Sequence, residues 1–303
     1  MTMQDFAVLL KSSLQGEVRT HEPMARHTSF HIGGPADFLI IPRNVEDIRQ
    51  ALRLSRLQGV PLTVLGNGSN VLVRDKGIRG VVLKLGNALK QWEQNENRFT
   101  FGSGIALAQC SRIIGEAGFS GMEFAVGIPG SLGGALYMNA GAYGGEMKDV
   151  VVSASVLDED GEMHWLSKEE LQLRYRHSSL QETRHIVLDI TLEVTPADRG
   201  EVLAKMEEFS RRRISKQPLE MPSAGSTFKR PEDCFVGPLI ENAGLKGFRI
   251  GGAQISEKHA GFIVNAGDAT AADVIALIEY IREKIWQDCR VQLTPEVLII
   301  GEK

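Results

Sequence analysis

The chain has 303 residues, 43% hydrophobic and 24% charged, a balance that fits a soluble globular protein and excludes a disordered or fibrous one. That length exceeds one small core and suits two or three lobes. A formal net charge of −4 argues against a nucleic-acid partner, because neutralising phosphates needs surplus Lys and Arg, and the one basic cluster, Arg211, Arg212, Arg213 and Lys216, reads as the solvated end of a helix.

In chain order, residues 36–42 (ADFLIIP) read as a strand. Residues 44–59 follow as a helix, with Asn44 capping its start and Gly59 ending it. Short apolar strands at 60–66 and 80–86 flank the turn GNGSN, so the opening is a β-α-β-type unit. Residues 105–118 are one amphipathic helix in a region that otherwise reads as strands up to Val194. The run VVVSASVLDEDGEMHWLS is a hairpin turning at Glu159, Asp160 and Gly161, and HIVLDITLEV alternates as a further strand of the same sheet.

After Pro196 the pattern changes to α+β. A long helix ends before Pro218, a short one covers GPLIENAGL, and strands fall at IGGAQIS and GFIVNAG. Thr270 then caps a last helix, with Asp273 three residues on, and VQLTPEVLIIG closes as a strand. Between Pro222 and Pro231, in PSAGSTFKRP, small residues crowd a stretch that reads as unable to pack a core or run as a helix. Either another strand or a ligand approaches it, and Ser226 or Thr227 would offer the hydroxyl.

Cys110, Cys234 and Cys289 are far apart, without metal-type spacing, and read as thiols of a reducing compartment. Neither a leader pattern nor an apolar run of about 20 residues is present, so the expected location is the cytoplasm, without a membrane partner. His27 and His31 are four apart, but Gly33, Gly34 and Pro35 would break a helix there and no third ligand is evident, so no metal is expected.

Three segments share one composition: HTSFHIGGPAD (27–37), LGNGSNVLV (65–73) and GIPGSLGGALYMNAGAYGG (127–145). Their glycines leave runs of backbone N–H uncovered, which suits one extended anionic ligand held at several points. The dinucleotide fingerprint is absent, since a strand-like run follows Gly66-Asn67-Gly68, and no P-loop is present.

These three segments, with YRHS (175–178), AGSTFKRP (224–231) and PEVLIIG (295–301), resemble in order and over nearly the whole chain the UDP-N-acetylenolpyruvoylglucosamine reductase family. The resemblance implies an α+β fold of the vanillyl-alcohol-oxidase type: an FAD-binding subdomain at 1–75 completed by 291–303, a second at 76–196, and a substrate-binding domain at 197–290. It implies FAD and NADPH as cofactors and UDP-N-acetylglucosamine enolpyruvate as the small-molecule substrate, with the chain acting as a monomer. The run from LRYRHSSL into QETRHIVLDITLEV leaves no room for an inserted loop, which places the chain with the family's shorter type.

By the same resemblance, FAD is held by Gly66, Asn67, Gly68, Ser69, Asn70, Gly127, Gly130, Ser131, Gly133, Gly134, Asn139, Gly141 and Ala142. Ser226 matches the proton donor to the substrate carbanion, and Arg176 the cation that pairs with the substrate carboxylate. Glu296 is an acid before an apolar strand, where burial is expected to favour its protonated form. Arg213, Lys216 and Lys229 are candidates for the uridine diphosphate and His259 for the sugar. Tyr175 is counted with the substrate contacts, although its ring reads first as a packing group. Two alternatives stay open: a flavin oxidase of the same fold, and a non-catalytic nucleotide binder that keeps the glycine loops for shape.

Overall fold

The structure, a computed structural model, describes residues 2–303. The helices are α1 (Met3–Ser13), α2 (Val45–Leu57), α3 (Leu107–Glu116), α4 (Leu132–Tyr137), α5 (Arg199–Lys216), α6 (Val236–Asn242) and α7 (Ala271–Cys289). The strands that matter here begin with β1 (Glu17–Pro23), β2 (Pro35–Ile41), β3 (Leu62–Leu65), β4 (Val71–Val73), β5 (Ile78–Lys84), β6 (Trp92–Asn95) and β7 (Arg98–Gly102). They continue with β8 (Val151–Leu157), β9 (Met163–Ser167), β10 (Ile186–Glu193), β11 (Ser223–Ser226), β12 (Ala253–Ile255), β13 (Phe262–Asn265) and β14 (Leu298–Ile300).

The chain divides into two compact units, and the first comprises Met1–Thr20, Phe38–Asn67 and Gly80–Arg213. It carries a four-stranded sheet in the order β1-β2-β5-β3, with β3 parallel to β5, and a five-stranded antiparallel sheet in the order β9-β8-β10-β7-β6. One core gathers Phe6, Leu10, Phe38, Ile40, Ile48 and Leu83, and a second gathers Phe99, Phe101, Ile114, Leu132, Leu136 and Ile190. The alternation along Ile190–Glu193 in β10 buries Ile190 and Leu192 while Thr191 is half-buried and Glu193 exposed.

The sequence reading did not foresee α1. A capping box starts it, with Thr2 Oγ1 accepting from Asp5 N–H at 3.1 Å and the Asp5 carboxylate accepting from Thr2 N–H at 2.9 Å. Phe6 and Leu10, four apart, then bury one face. α4 was also hidden inside the glycine run. Ser131 caps it through Oγ, and Ala135 and Leu136 give it a buried side.

The second unit comprises His21–Asp37, Gly68–Arg79 and Ile214–Lys303. Its sheet runs β11-β13-β12 and ends on the two-residue strand Arg249–Ile250, all antiparallel. α7 packs its apolar stripe Val274, Leu277, Ile278, Ile281 and Ile285 into a core that includes Phe30, Leu72, Phe228, Ile240 and Ile263. The Thr270 capping box with Asp273 forms as the spacing predicts, and the Asp75 carboxylate accepts from the next two free N–H groups, Ala271 at 2.7 Å and Ala272 at 2.9 Å. β14 pairs in parallel with β4, Leu298 opposite Val71.

The stretch between Pro222 and Pro231 corrects one expectation. It does enter the core, since Ala224, Thr227 and Phe228 are buried, and residues 223–226 form a strand against β13.

Candidate functional site

In the first unit, two of the glycine segments meet. A Cβ on Gly66 would run into Ser131 Oγ, so only glycine lets the turn after β3 lie against the start of α4. Among the described residues, the backbone N–H groups of Asn67, Gly130 and Ser131 make no hydrogen bond within the protein. Those of Gly133 and Gly134 are already taken, by Ser103 O at 2.8 Å and by Ser131 Oγ at 3.3 Å. These uncovered donors lie on two loops brought together at Gly66 and Ser131, and backbone amides left free in glycine loops are of the kind that holds a phosphate or diphosphate.

Arg213, at the end of α5, joins this loop instead of Lys216 and Lys229. Its stem lies so close to Gly127 that a Cβ there would sit 2.8 Å from Arg213 Cδ. Burial lowers the guanidinium's pKa, offset in part by the Tyr143 hydroxyl it bonds, and its Nε and Nη1 are buried with no partner among the described residues. Tyr143 is itself fixed, stacked on Phe209 with ring centroids 4.5 Å apart. It stands at the tip of the hairpin Gly141–Ala142 and Gly145–Glu146, where Tyr143 and Gly144 both take positive φ, the geometry of a tight hairpin turn.

Arg176 sits in a four-residue turn closed by reciprocal bonds between Arg174 and His177, each 3.0 Å. Its φ of 51° is a left-handed conformation that a non-glycine residue adopts at a cost, and such positions collect at functional sites. Its Nη2 donates to Gly141 O at 3.2 Å and the guanidinium lies 4.9 Å from the Tyr175 ring centre. Tyr175 is 48% exposed, which corrects the packing reading: its ring flanks the arginine and fills no core.

Asn139 braces this turn. Wholly buried, it donates to Arg174 O at 2.9 Å and to the Glu146 carboxylate at 2.8 Å, and it accepts from Lys148 N–H at 2.8 Å. Its side chain is therefore occupied inside the protein.

In the second unit the first glycine segment meets the GNGSN turn. Gly68 takes φ +67° and lies against the His27 carbonyl and Thr28, and Ser29 N–H donates to Gly68 O at 3.0 Å. His27 is buried with its Nε2 2.9 Å from the Glu22 carboxylate, a satisfied interior histidine. Among the described residues no group of His, Cys, Asp and Glu has the makings of a metal site.

Ser226 ends β11 on a bulge. From Ser223 to Ser226 is three steps, while their partners Val264 and Phe262 are two apart, so β11 carries one extra residue. Gly225, at φ +77°, absorbs it, and a Cβ there would meet open space. The backbone conformation demands this glycine, not a crowded neighbour.

The next residue shows which hydroxyl is free. Thr227 is buried and clamped on both sides: its N–H donates to Gly261 O at 2.9 Å and its Oγ1 accepts from Ile263 N–H at 3.0 Å. Its carbonyl accepts from Glu296 N–H at 2.8 Å. Ser226 is exposed, and its hydroxyl has no partner among the described residues.

Glu296 is half-buried beside it, its carbonyl accepting from Asn70 Nδ2 at 3.2 Å. The Asn70 side chain is thus committed to the Glu296 backbone, which ties the GNGSN turn to the segment carrying the acid. Sequence reasoning missed Ser29, whose hydroxyl donates to Ser223 O at 2.6 Å and anchors the start of β11. The motif HTSFH contained it, but nothing local distinguishes an anchoring serine from a turn serine.

Lys229 lies just beyond, half-buried, its N–H bonded to Thr294 O at 2.8 Å, whereas Lys216 is exposed. His259 is packed against Gly237 and Phe262, with Nδ1 accepting from Gly261 N–H at 3.1 Å.

Uncovered glycine-loop amides on one α+β unit and an exposed serine hydroxyl on a second suit the class of an enzyme that holds a nucleotide-type cofactor on one unit and offers a reacting group on another. Residues 36–167 match the family described as "FAD binding domain", and residues 217–300 match "UDP-N-acetylenolpyruvoylglucosamine reductase, C-terminal domain". The chain is 47% identical over 301 residues to the UDP-N-acetylenolpyruvoylglucosamine reductase of Alkaliphilus oremlandii, covering 99% of each. It is 45% identical over 303 residues to that of Clostridioides difficile, covering 100% of each. A crystal structure of the Thermus caldophilus reductase superposes with a TM-score of 0.81 at 34% identity, covering 94% of this chain and 99% of that one. The chain belongs to the UDP-N-acetylenolpyruvoylglucosamine reductase family.

Proposed function

We propose that the chain reduces the enolpyruvyl ether of UDP-N-acetylglucosamine enolpyruvate to UDP-N-acetylmuramate, a step of peptidoglycan precursor synthesis, with NADPH as reductant. The observation that carries the residue assignment is the exposed, unpartnered Ser226 hydroxyl on a rigid bulge whose next residue holds the Glu296 backbone.

Bound FAD would supply the hydride-transfer chemistry that links NADPH to the substrate's methylene carbon. The amides of Asn67, Gly130 and Ser131 would hold its diphosphate, and Arg213, half-buried beside Gly127 with its Nε and Nη1 buried and unpartnered among the described residues, would neutralise the charge there. This assigns Arg213 to the glycine loops, and leaves Lys216 and Lys229 for the uridine diphosphate.

Hydride arrival leaves negative charge on the adjacent carbon and the carboxylate. Arg176, as a planar two-pronged donor, pairs with that carboxylate, and its strained turn, braced by Asn139, fixes the direction of the fork. Ser226 protonates the carbanion. A serine is a weak acid, but it serves when the acceptor is a far stronger base. Glu296 supports the intermediate by a hydrogen bond to its carboxylate. The three-part division at 1–75 with 291–303, 76–196 and 197–290 remains the functional partition of this reading, with the chain acting in the cytoplasm as a monomer.

The test separates the half-reactions. Ser226→Ala should leave flavin reduction by NADPH close to wild type and lower substrate reduction by several orders of magnitude. An equal loss in both would remove Ser226 from the proton-transfer role.

A further inference from the structure

The loop that joins β12 to β13, residues 256–261, is tied together at several points. Ser256 Oγ, buried, accepts from Lys258 N–H at 3.1 Å and from His259 N–H at 3.2 Å. Phe262 N–H returns to His259 O at 3.0 Å, and Ser256 N–H to Phe262 O at 2.9 Å. The His259 ring is half-buried: Phe262 meets it edge to face at 5.0 Å, and the Cε1 edge lies against Gly261, where a Cβ would sit 3.0 Å away, and Gly237, where one would sit 3.4 Å away.

The imidazole accepts through Nδ1 from Gly261 N–H at 3.1 Å and also lies within hydrogen-bond reach of its own backbone carbonyl. The opposite end of the Gly261 residue, its carbonyl, accepts from Thr227 N–H at 2.9 Å. Thr227 follows Ser226 directly and holds Glu296 through its own carbonyl. The bonds therefore run from the His259 ring through Gly261 to Thr227, and Thr227 sits between the two residues assigned to the chemistry.

We infer that His259 is a positioning residue for the reaction: its neutral imidazole, protonated on Nε2, fixes Gly261 and through it the bulge that presents Ser226 and the segment that presents Glu296. This rests on the functional reading above and goes beyond a contact of His259 with the sugar. Protonation of Nδ1 would set an N–H against the Gly261 N–H and break the chain at its first link. Burial holds the ring below the ordinary histidine range against the pull of its own backbone carbonyl, with Lys246 and Lys216 adding to the lowering and Glu241 opposing it, while Lys258 precedes it in the loop. The ring therefore stays in its accepting form at neutral pH.

Two substitutions isolate the contact in the flavin-loaded enzyme. The side-chain amide oxygen introduced by His259→Asn would occupy the accepting position, so that variant should keep substrate reduction within about threefold of wild type. His259→Leu lacks an acceptor and should lower it at least tenfold. Flavin reduction by NADPH should be unchanged in both. The wild type should lose substrate reduction toward acid pH on a limb that His259→Asn lacks. Ring nitrogen NMR should show Nδ1 unprotonated at pH 7.5, and the Gly261 amide proton should shift upfield in His259→Leu only. His259→Leu that turns over substrate like wild type, or His259→Asn that falls as far as His259→Leu, would overturn the role. A wild-type enzyme that accepts electrons from NADPH and passes none to the enolpyruvyl ether would instead overturn the functional reading.

Discussion

At the residue scale, the division of labour between Ser226 and Thr227 is a matter of which hydroxyl the fold consumes. Thr227 Oγ1 accepts from the buried Ile263 N–H, so Thr227→Val keeps the shape but orphans a donor, at a cost of about 1–3 kcal/mol in unfolding free energy by denaturant titration. Gly225→Ala places a Cβ in open space and still strains φ +77°. It should cost about 1–2 kcal/mol and also slow substrate reduction, because the bulge it distorts carries Ser226. A Gly225→Ala enzyme as stable and active as wild type would show that the positive φ is not needed.

At the element scale, the Arg176 turn depends on Asn139, three of whose hydrogen bonds meet in a fully buried site. Asn139→Ala should cost on the order of 3 kcal/mol and raise KM for the enolpyruvyl substrate, while leaving KM for NADPH near wild type. Steady-state kinetics at saturating NADPH would check the split. Elements with a strong local signature were legible in the sequence. Asn44 capping α2, the Thr270 box on α7 and the Gly161 turn between β8 and β9 all stand where periodicity and capping chemistry place them. α4 was not legible, because Gly133 and Gly134 disguise a helix whose stability comes from its Ser131 cap and the burial of Leu132 and Leu136. β11 was misread for a related reason. SAGS has no strand propensity of its own, and its pairing partner β13 lies about forty residues along the chain, so tertiary context decides.

At the scale of the whole molecule, the candidate site was legible as motifs and not as geometry. Ser226, Arg176 and Glu296 came from ordered strings, while the roles of Asn139, Asn70 and Ser29 as internal braces depend on bonds between residues distant in sequence. The separation of Arg213 from Lys216, only three residues apart, was equally invisible until the end of α5 was seen against Gly127.

Stability should also carry a pH signature. The folded-state pKa of His259 is depressed from 6.5, so its contribution is fully present above that value and is lost as pH falls through the lower folded value. Relative to wild type, His259→Asn should therefore lose less stability between neutral and mildly acid pH, as read by denaturant titration across that range. Parallel pH profiles for the two proteins would contradict it.

Whether the chain is an FAD reductase for an enolpyruvyl ether is decided by an anaerobic visible spectrum, recorded on the purified protein, then after one addition of NADPH, then after one addition of UDP-N-acetylglucosamine enolpyruvate. A flavin band should bleach with NADPH and return with the enolpyruvate. A protein that stays colourless after FAD is supplied would contradict the amide cradle, and a bleached band restored only by oxygen would make the chain an oxidase.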